Sequence, residues 1–182
     1  MKKFVFLLAA LCMFASASFA QKANYAGTWT LDTAKSKLDE RARVESMTMT
    51  VEQTETEIKV TTATKRQAPP ADAPARPAGG GGGGMGRMGG GDGTTTYDLS
   101  GKETKVDIDG PNGKMPQMLK ATKDGAKLTL SKSSSFSGPM GDVTITTKET
   151  WELGADGKSL TVNREQSSPR GTNTSTMVFT KS

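Results

Sequence analysis

Apolar residues in this chain return at every second position, in short runs, from residue 29 almost to its end. Trp29 and Leu31 share one parity, as do Met47, Met49 and Val51 in SMTMTVEQ and Ile58 and Val60 in EIKVTT. Tyr97 with Leu99, Val106 with Ile108, Leu119 with Ala121, and Leu128 with Leu130 continue the pattern. Val143 and Ile145, Trp151 and Leu153, Leu160 and Val162, then Met177 and Phe179 complete it. A period of two is that of a strand burying one face. Threonine fills many of the intervening positions, as suits the exposed face of a pleated strand.

Turn signals punctuate the runs. SGKE (100–103), DGPNGK (109–114), KDGAK (123–127) and ADGKS (155–159) pair Gly with Asp, Asn or Ser, which supplies the positive φ of tight hairpins. Spacing this short predicts consecutive strands paired antiparallel as a meander. Only DTAKSKLDERAR (32–43) has room for a helical turn or two, with Asp32 as its N-cap. One-faced strands in such number close into a barrel or stack as a sandwich. Local hairpins throughout favour an all-β, antiparallel up-and-down barrel of about eight to ten strands.

One segment breaks the rhythm. Residues 67–93, QAPPADAPARPAGGGGGGMGRMGGGDG, contain four Pro and eleven Gly among 27 residues. With almost no apolar side chain beyond Ala and two Met, it lacks the surface to offset the entropy of ordering. It is expected to be a disordered insertion between two barrel strands. The 66 residues before it hold too few strands to close a core, so residues 21–182 are read as one domain.

The chain opens like an export signal. Lys2 and Lys3 precede an apolar run from Phe4 to Phe14, and Ser18-Phe19-Ala20 places small residues for cleavage after Ala20. The run is too short to span a bilayer, which takes about 20 residues. A signal peptide over 1–20 implies an exported protein, periplasmic or secreted. Cys12 would serve as a lipidated residue, but Leu11 stands where that pattern wants a small one. Without Lys2 and Lys3, 22 basic residues remain against 19 acidic ones, and the net charge falls from +5 to +3. That supports at most weak attraction to acidic polymers or headgroups, and export makes nucleic acid an improbable partner.

The sole cysteine leaves with the signal, and histidine is absent. The mature chain therefore has no disulfide, no thiolate nucleophile, no Ser-His-Asp or Cys-His machinery and no histidine metal ligand. Other constellations are weak. The Met-x-x-Met pairs Met85/Met88 and Met115/Met118 offer soft ligands for Cu(I), but Met in a Gly tract is poorly preorganised. The Gly tract runs into DGTTTYDLS, a strand, where a phosphate loop needs a helix. Asp107 and Asp109 flank Ile108 and so face outward together, away from any cleft. With Asn112 they echo a calcium loop without its spacing.

Gly27-Thr28-Trp29 on the first strand resembles the signature of calycins, shared by lipocalins and fatty-acid-binding-type barrels. A closer resemblance is to small exported bacterial lipocalin-like proteins, carried by GTWTLDTAKSKL (27–38), WELGADGKSLTV (151–162) and MVFTK (177–181). The second lipocalin motif, a Thr-Asp-Tyr turn, is not evident; TYD at 96–98 has another order. The resemblance implies that Trp29 plugs the closed end of the barrel with Gly27 beside it. A cation from the last strands would cover the plug, and Arg164 and Arg170 are the candidates.

The resemblance also implies a non-enzymatic protein that needs no cofactor and binds a small apolar or amphiphilic molecule inside the barrel. Flexible Met115, Met118 and Met140 are the candidate ligand contacts at the rim. The alternative is a structural or interaction protein of the cell envelope. Its barrel would be packed with its own side chains, and its Pro/Gly loop or rim would meet a partner.

Overall fold

The computed structural model describes residues 23–39, 42–68, 92–110, 113–138 and 141–182. Ten strands run in chain order: β1 (Gly27–Leu31), β2 (Val44–Gln53), β3 (Glu57–Arg66), β4 (Gly93–Asp98), β5 (Glu103–Gly110), β6 (Gly113–Asp124), β7 (Lys127–Gly138), β8 (Gly141–Leu153), β9 (Ser159–Ser168) and β10 (Gly171–Lys181). They form one antiparallel sheet ordered β4-β3-β2-β1-β10-β9-β8-β7-β6-β5. The sheet curls until β4 lies against β5 and β6, with no ladder across that seam. The fold is thus an all-β, up-and-down, nearly closed ten-stranded barrel.

Each pairing follows from the alternation. Trp29 faces Met49 across β1–β2, and Leu31 faces Phe179 across β1–β10. Leu128, Trp151, Val162 and Met177 form an unbroken row across four strands. A one-residue slip would send every one of these to solvent, so burial itself fixes the register. The turns fall where the Gly signals predict. Gly125, at φ +58°, opens the two-residue connection between β6 and β7, a conformation that favours Gly.

Of the helical turns expected within 32–43, the described residues show a 3₁₀ turn at Ala42, whose N–H donates to the Asp39 carbonyl at 2.9 Å, and no α-helical turn. Asp32 does act as a cap, its Oδ1 accepting from the backbone N–H of Ala34 and of Lys35, each at 3.1 Å. The chain then leaves the turn because the backbone of Lys37 bridges Thr176 on β10, at 2.7 and 2.9 Å. Two ladder hydrogen bonds to an existing sheet outcompete a helix too short to nucleate alone.

The expected leader (1–20) lies outside the described residues, as does most of the Pro/Gly segment, which joins β3 to β4. Among the described residues no helix is long and apolar enough to cross a membrane.

Candidate functional site

The barrel has two unlike interiors, stacked along the same strands. The first is a closed end built on Trp29 and Trp151, both 0 % exposed. Tyr25, just before β1, meets Trp151 edge to face, with ring centroids 5.8 Å apart at 74°. Its hydroxyl donates to the Ala126 carbonyl at 2.6 Å, and its own carbonyl accepts the Trp29 indole N–H at 2.8 Å. Gln53 anchors this segment from β2, its Oε1 accepting the Tyr25 N–H at 2.9 Å and its Nε2 donating to the Ala23 carbonyl at 3.2 Å. Burial pushes the Tyr25 phenol up to about 12, with the nearby Glu152 carboxylate adding to the rise.

Lys181 is the cation over the Trp29 ring, its Nζ 5.2 Å from the centroid. This corrects the expectation of Arg164 or Arg170. Arg164 points into the barrel toward a carboxylate, and Arg170 is exposed in the β9–β10 turn. Position 181 has the inward parity of Met177 and Phe179, so the last side chain of β10 folds under the plug. Gly27 accommodates it: at φ +136° a Cβ there would sit 2.5 Å from Lys181 Cε.

The second interior begins one inward step along. Leu130 on β7 is paired with Glu149 on β8, and Glu149 with Arg164 on β9. Arg164 donates from Nε to Glu149 Oε1 at 2.8 Å, with Nη2 also 2.8 Å from that oxygen. The other carboxylate oxygen accepts the Trp151 indole N–H at 2.9 Å. Burial pushes the Glu149 carboxyl up. The charges of Arg164 and Lys132, with the hydrogen bonds from Trp151 and Arg164, outweigh it and leave the carboxyl below its ordinary value. Glu149 is therefore a carboxylate at neutral pH.

Lys132 sits one inward step beyond Leu130 on β7, paired with Thr147. Its ammonium forms no ion pair within 4.0 Å among the described residues. Desolvation pulls its pKa below 10.5; the Glu149 carboxylate opposes this and the Arg164 cation reinforces it. Tyr97 on β4 closes the group from the far wall, and burial together with the Glu149 charge holds its phenol well above the ordinary range. Nearby, Gln117 donates to Ser134 Oγ at 3.0 Å. The Thr147 hydroxyl is buried with no hydrogen-bond partner among the described residues.

Lys132, Glu149, Arg164 and Tyr97 line a cavity whose remaining wall includes Met47, Met49, Met177 and Phe179. Its volume is about 30 Å³ for the centres of water molecules. That is room for about two waters at 10–15 Å³ each, far below the ~300–1,000 Å³ of an open small-molecule pocket. The three thioethers in its wall are the side chains best able to yield. Among the described residues no cluster of three carboxylate, thiol or imidazole groups is placed to hold a metal ion.

The rim candidates lie elsewhere. Met115 is buried on β6 opposite Ile108, and Met118 is on the other face of β6 beside Lys105 and Ser133. Neither lines the cavity. Met140 lies outside the described residues. Sequence reasoning missed Lys132 and Glu149, although parity marks both. Lys132 continues Leu128 and Leu130, and Glu149 sits two before Trp151.

No family model matches the chain, and no curated protein matches it. Among solved structures, it is similar to the zebrafish ileal bile acid-binding protein complexed with cholic acid, at 15 % identity and TM-score 0.46, over 87 % of this chain and 98 % of that one. It is also similar to a fatty-acid-binding protein from Manduca sexta, at 16 % identity and TM-score 0.42, over 86 % and 99 % respectively.

Proposed function

We propose that this is an exported, non-enzymatic binding protein whose barrel takes a small amphiphilic molecule, its polar or anionic end at Lys132 and Arg164 and its apolar part among the methionines. The observation that carries this reading is the Lys132 ammonium inside the barrel, without an ion-pair partner among the described residues, in a cluster of two cations and one carboxylate. A buried charge without an ion-pair partner costs stability, and a barrel serving only as a scaffold is better off with an apolar residue there. An anionic headgroup would supply the missing partner. Export rests on the leader pattern of residues 1–20.

Titration with decanoate and with decanol tests the reading. Saturable one-to-one binding of both is expected, with decanoate affinity falling about tenfold or more in Lys132→Met, since a charge-assisted contact of about 1.5–3 kcal/mol is lost. Absence of binding by either probe at millimolar concentration would sink the proposal.

One observation favours the second reading, a packed barrel that works through a protein partner: the cavity as it stands is too small for such a ligand. In that case native mass spectrometry of protein taken from its own envelope would show a retained protein and no small molecule.

A further inference from the structure

We propose that Lys132 is a covalent capture site for aldehydes, condensing with a carbonyl group that enters the barrel to form an imine. The inference rests on the amphiphile reading above and names a substrate class for the same cavity. Four features of the geometry support it. Lys132 is a primary amine on the wall of an interior cavity, and its ammonium is not tied up in an ion pair among the described residues. The only carboxylate on that wall among the described residues, Glu149, is already committed through both oxygens to Arg164 and Trp151, so it does not lock the amine as a salt. Thr147, directly across the ladder from Lys132, carries a buried hydroxyl with no partner among the described residues. The surrounding methionines give an aldehyde's alkyl chain an apolar seat.

The chemistry needs nothing further. The free amine of Lys132 attacks the carbonyl carbon, the carbonyl oxygen takes up a proton, and the resulting carbinolamine loses water to leave a C=N bond. The protonated imine retains a positive charge where the ammonium had been, so Glu149 still faces a cation. Desolvation favours the first step, because it increases the share of Lys132 present as free amine at neutral pH over that of an exposed lysine near 10.5. The ionisable groups facing Lys132 are Glu149 on β8, Arg164 on β9 and Tyr97 on β4, while its ladder neighbours Leu119 and Thr147 do not titrate.

The test is reductive trapping. Purified protein is incubated with decanal and cyanoborohydride at pH 7, and peptides are mapped by mass spectrometry. A single secondary-amine adduct at Lys132, in severalfold excess over every other lysine, is expected. Lys132→Arg, which keeps the charge and lacks the nucleophile, should show no such excess. The pH profiles should run in opposite directions: imine capture strengthens as pH rises toward 10 and decanoate binding weakens. Even labelling across surface lysines, or an adduct that persists elsewhere in Lys132→Arg, would overturn the proposal. If decanoate binds but decanal leaves Lys132 unmodified, covalent capture is wrong and the amphiphile reading stands. If neither engages the barrel, both are wrong.

Discussion

Trp151 and Glu149 are inward neighbours on β8, two residues apart, and the barrel treats them in opposite ways. Around Trp151 the packed core is aliphatic and aromatic, and the Tyr25 hydroxyl within it is paired with the backbone carbonyl of Ala126. Around Glu149 the same strands point Lys132, Arg164, Gln117 and Thr147 inward, and the pairing is incomplete. The closed end is therefore organised for cohesion, and the polar layer gives up cohesion for chemistry. The indole of Trp151 joins the two, packing with its ring in one and donating from its nitrogen to the other.

If that contrast is right, the largest loss belongs to the closed end. Trp29→Ala should destabilise by roughly 3–5 kcal/mol, the cost of a cavity where a buried aromatic stood. Denaturant unfolding measures it, and a loss under about 1 kcal/mol would mean that this end is not the anchor. Arg164→Met comes next, at about 2–3 kcal/mol. Breaking a buried ion pair costs about 3–5, discounted here because Arg164 and Glu149 side chains are 20 % and 13 % exposed. Adding Glu149→Gln to Arg164→Met should recover part of the loss, since the carboxylate is then no longer stranded; no recovery would break the claim that the two act as a pair.

The smallest effect has the opposite sign. Lys132→Met should stabilise the protein by about 1 kcal/mol at pH 7, because a desolvated cation gives way to an apolar side chain of similar shape. The sign of its pH dependence follows from the lowered pKa of Lys132. As pH rises from the folded-state value toward 10.5, the unfolded chain holds this proton longer than the folded one, and the wild-type protein gains stability. The advantage of Lys132→Met should therefore shrink through that window and be gone above it. A constant advantage across pH would show that Lys132 is not desolvated.

The barrel was legible in the sequence because its strands bury one face each, so pairs such as Met47/Met49 and Leu160/Val162 announced both strand and orientation. Hairpin turns announced themselves through Gly125 and Gly157, where positive φ leaves few alternatives. The site was less legible because it breaks the rule that revealed the fold. A lysine in KLTLSKSSSF reads as solvent-facing by its chemistry and core-facing by its parity, and only the pairing of Lys132 with Thr147 settles the matter. Arg164 was noticed for a different reason, and its partner Glu149 lies on another strand, a proximity that only the β8–β9 register reveals. The helical expectation at 32–43 was limited to a 3₁₀ turn at Ala42 by a similar long-range term, the Lys37–Thr176 bridge.

The seam between β4 and β5 has a consequence for how quickly the chain can fold. These two strands follow each other through a short turn yet share no ladder, whereas β1 and β10 are laddered although Thr30 and Ser182 stand 152 positions apart. The meander is thus interrupted where it is local and closed where it is most distant, and closing that distance carries the larger entropic cost before any contact repays it. Circular permutation would reverse the arrangement. A chain joined from Ser182 back to Ala23 and opened between Ser100 and Gly101 would run β5 through β10 and then β1 through β4. Every ladder would then connect consecutive strands, and the same barrel would refold faster while its native stability changed little.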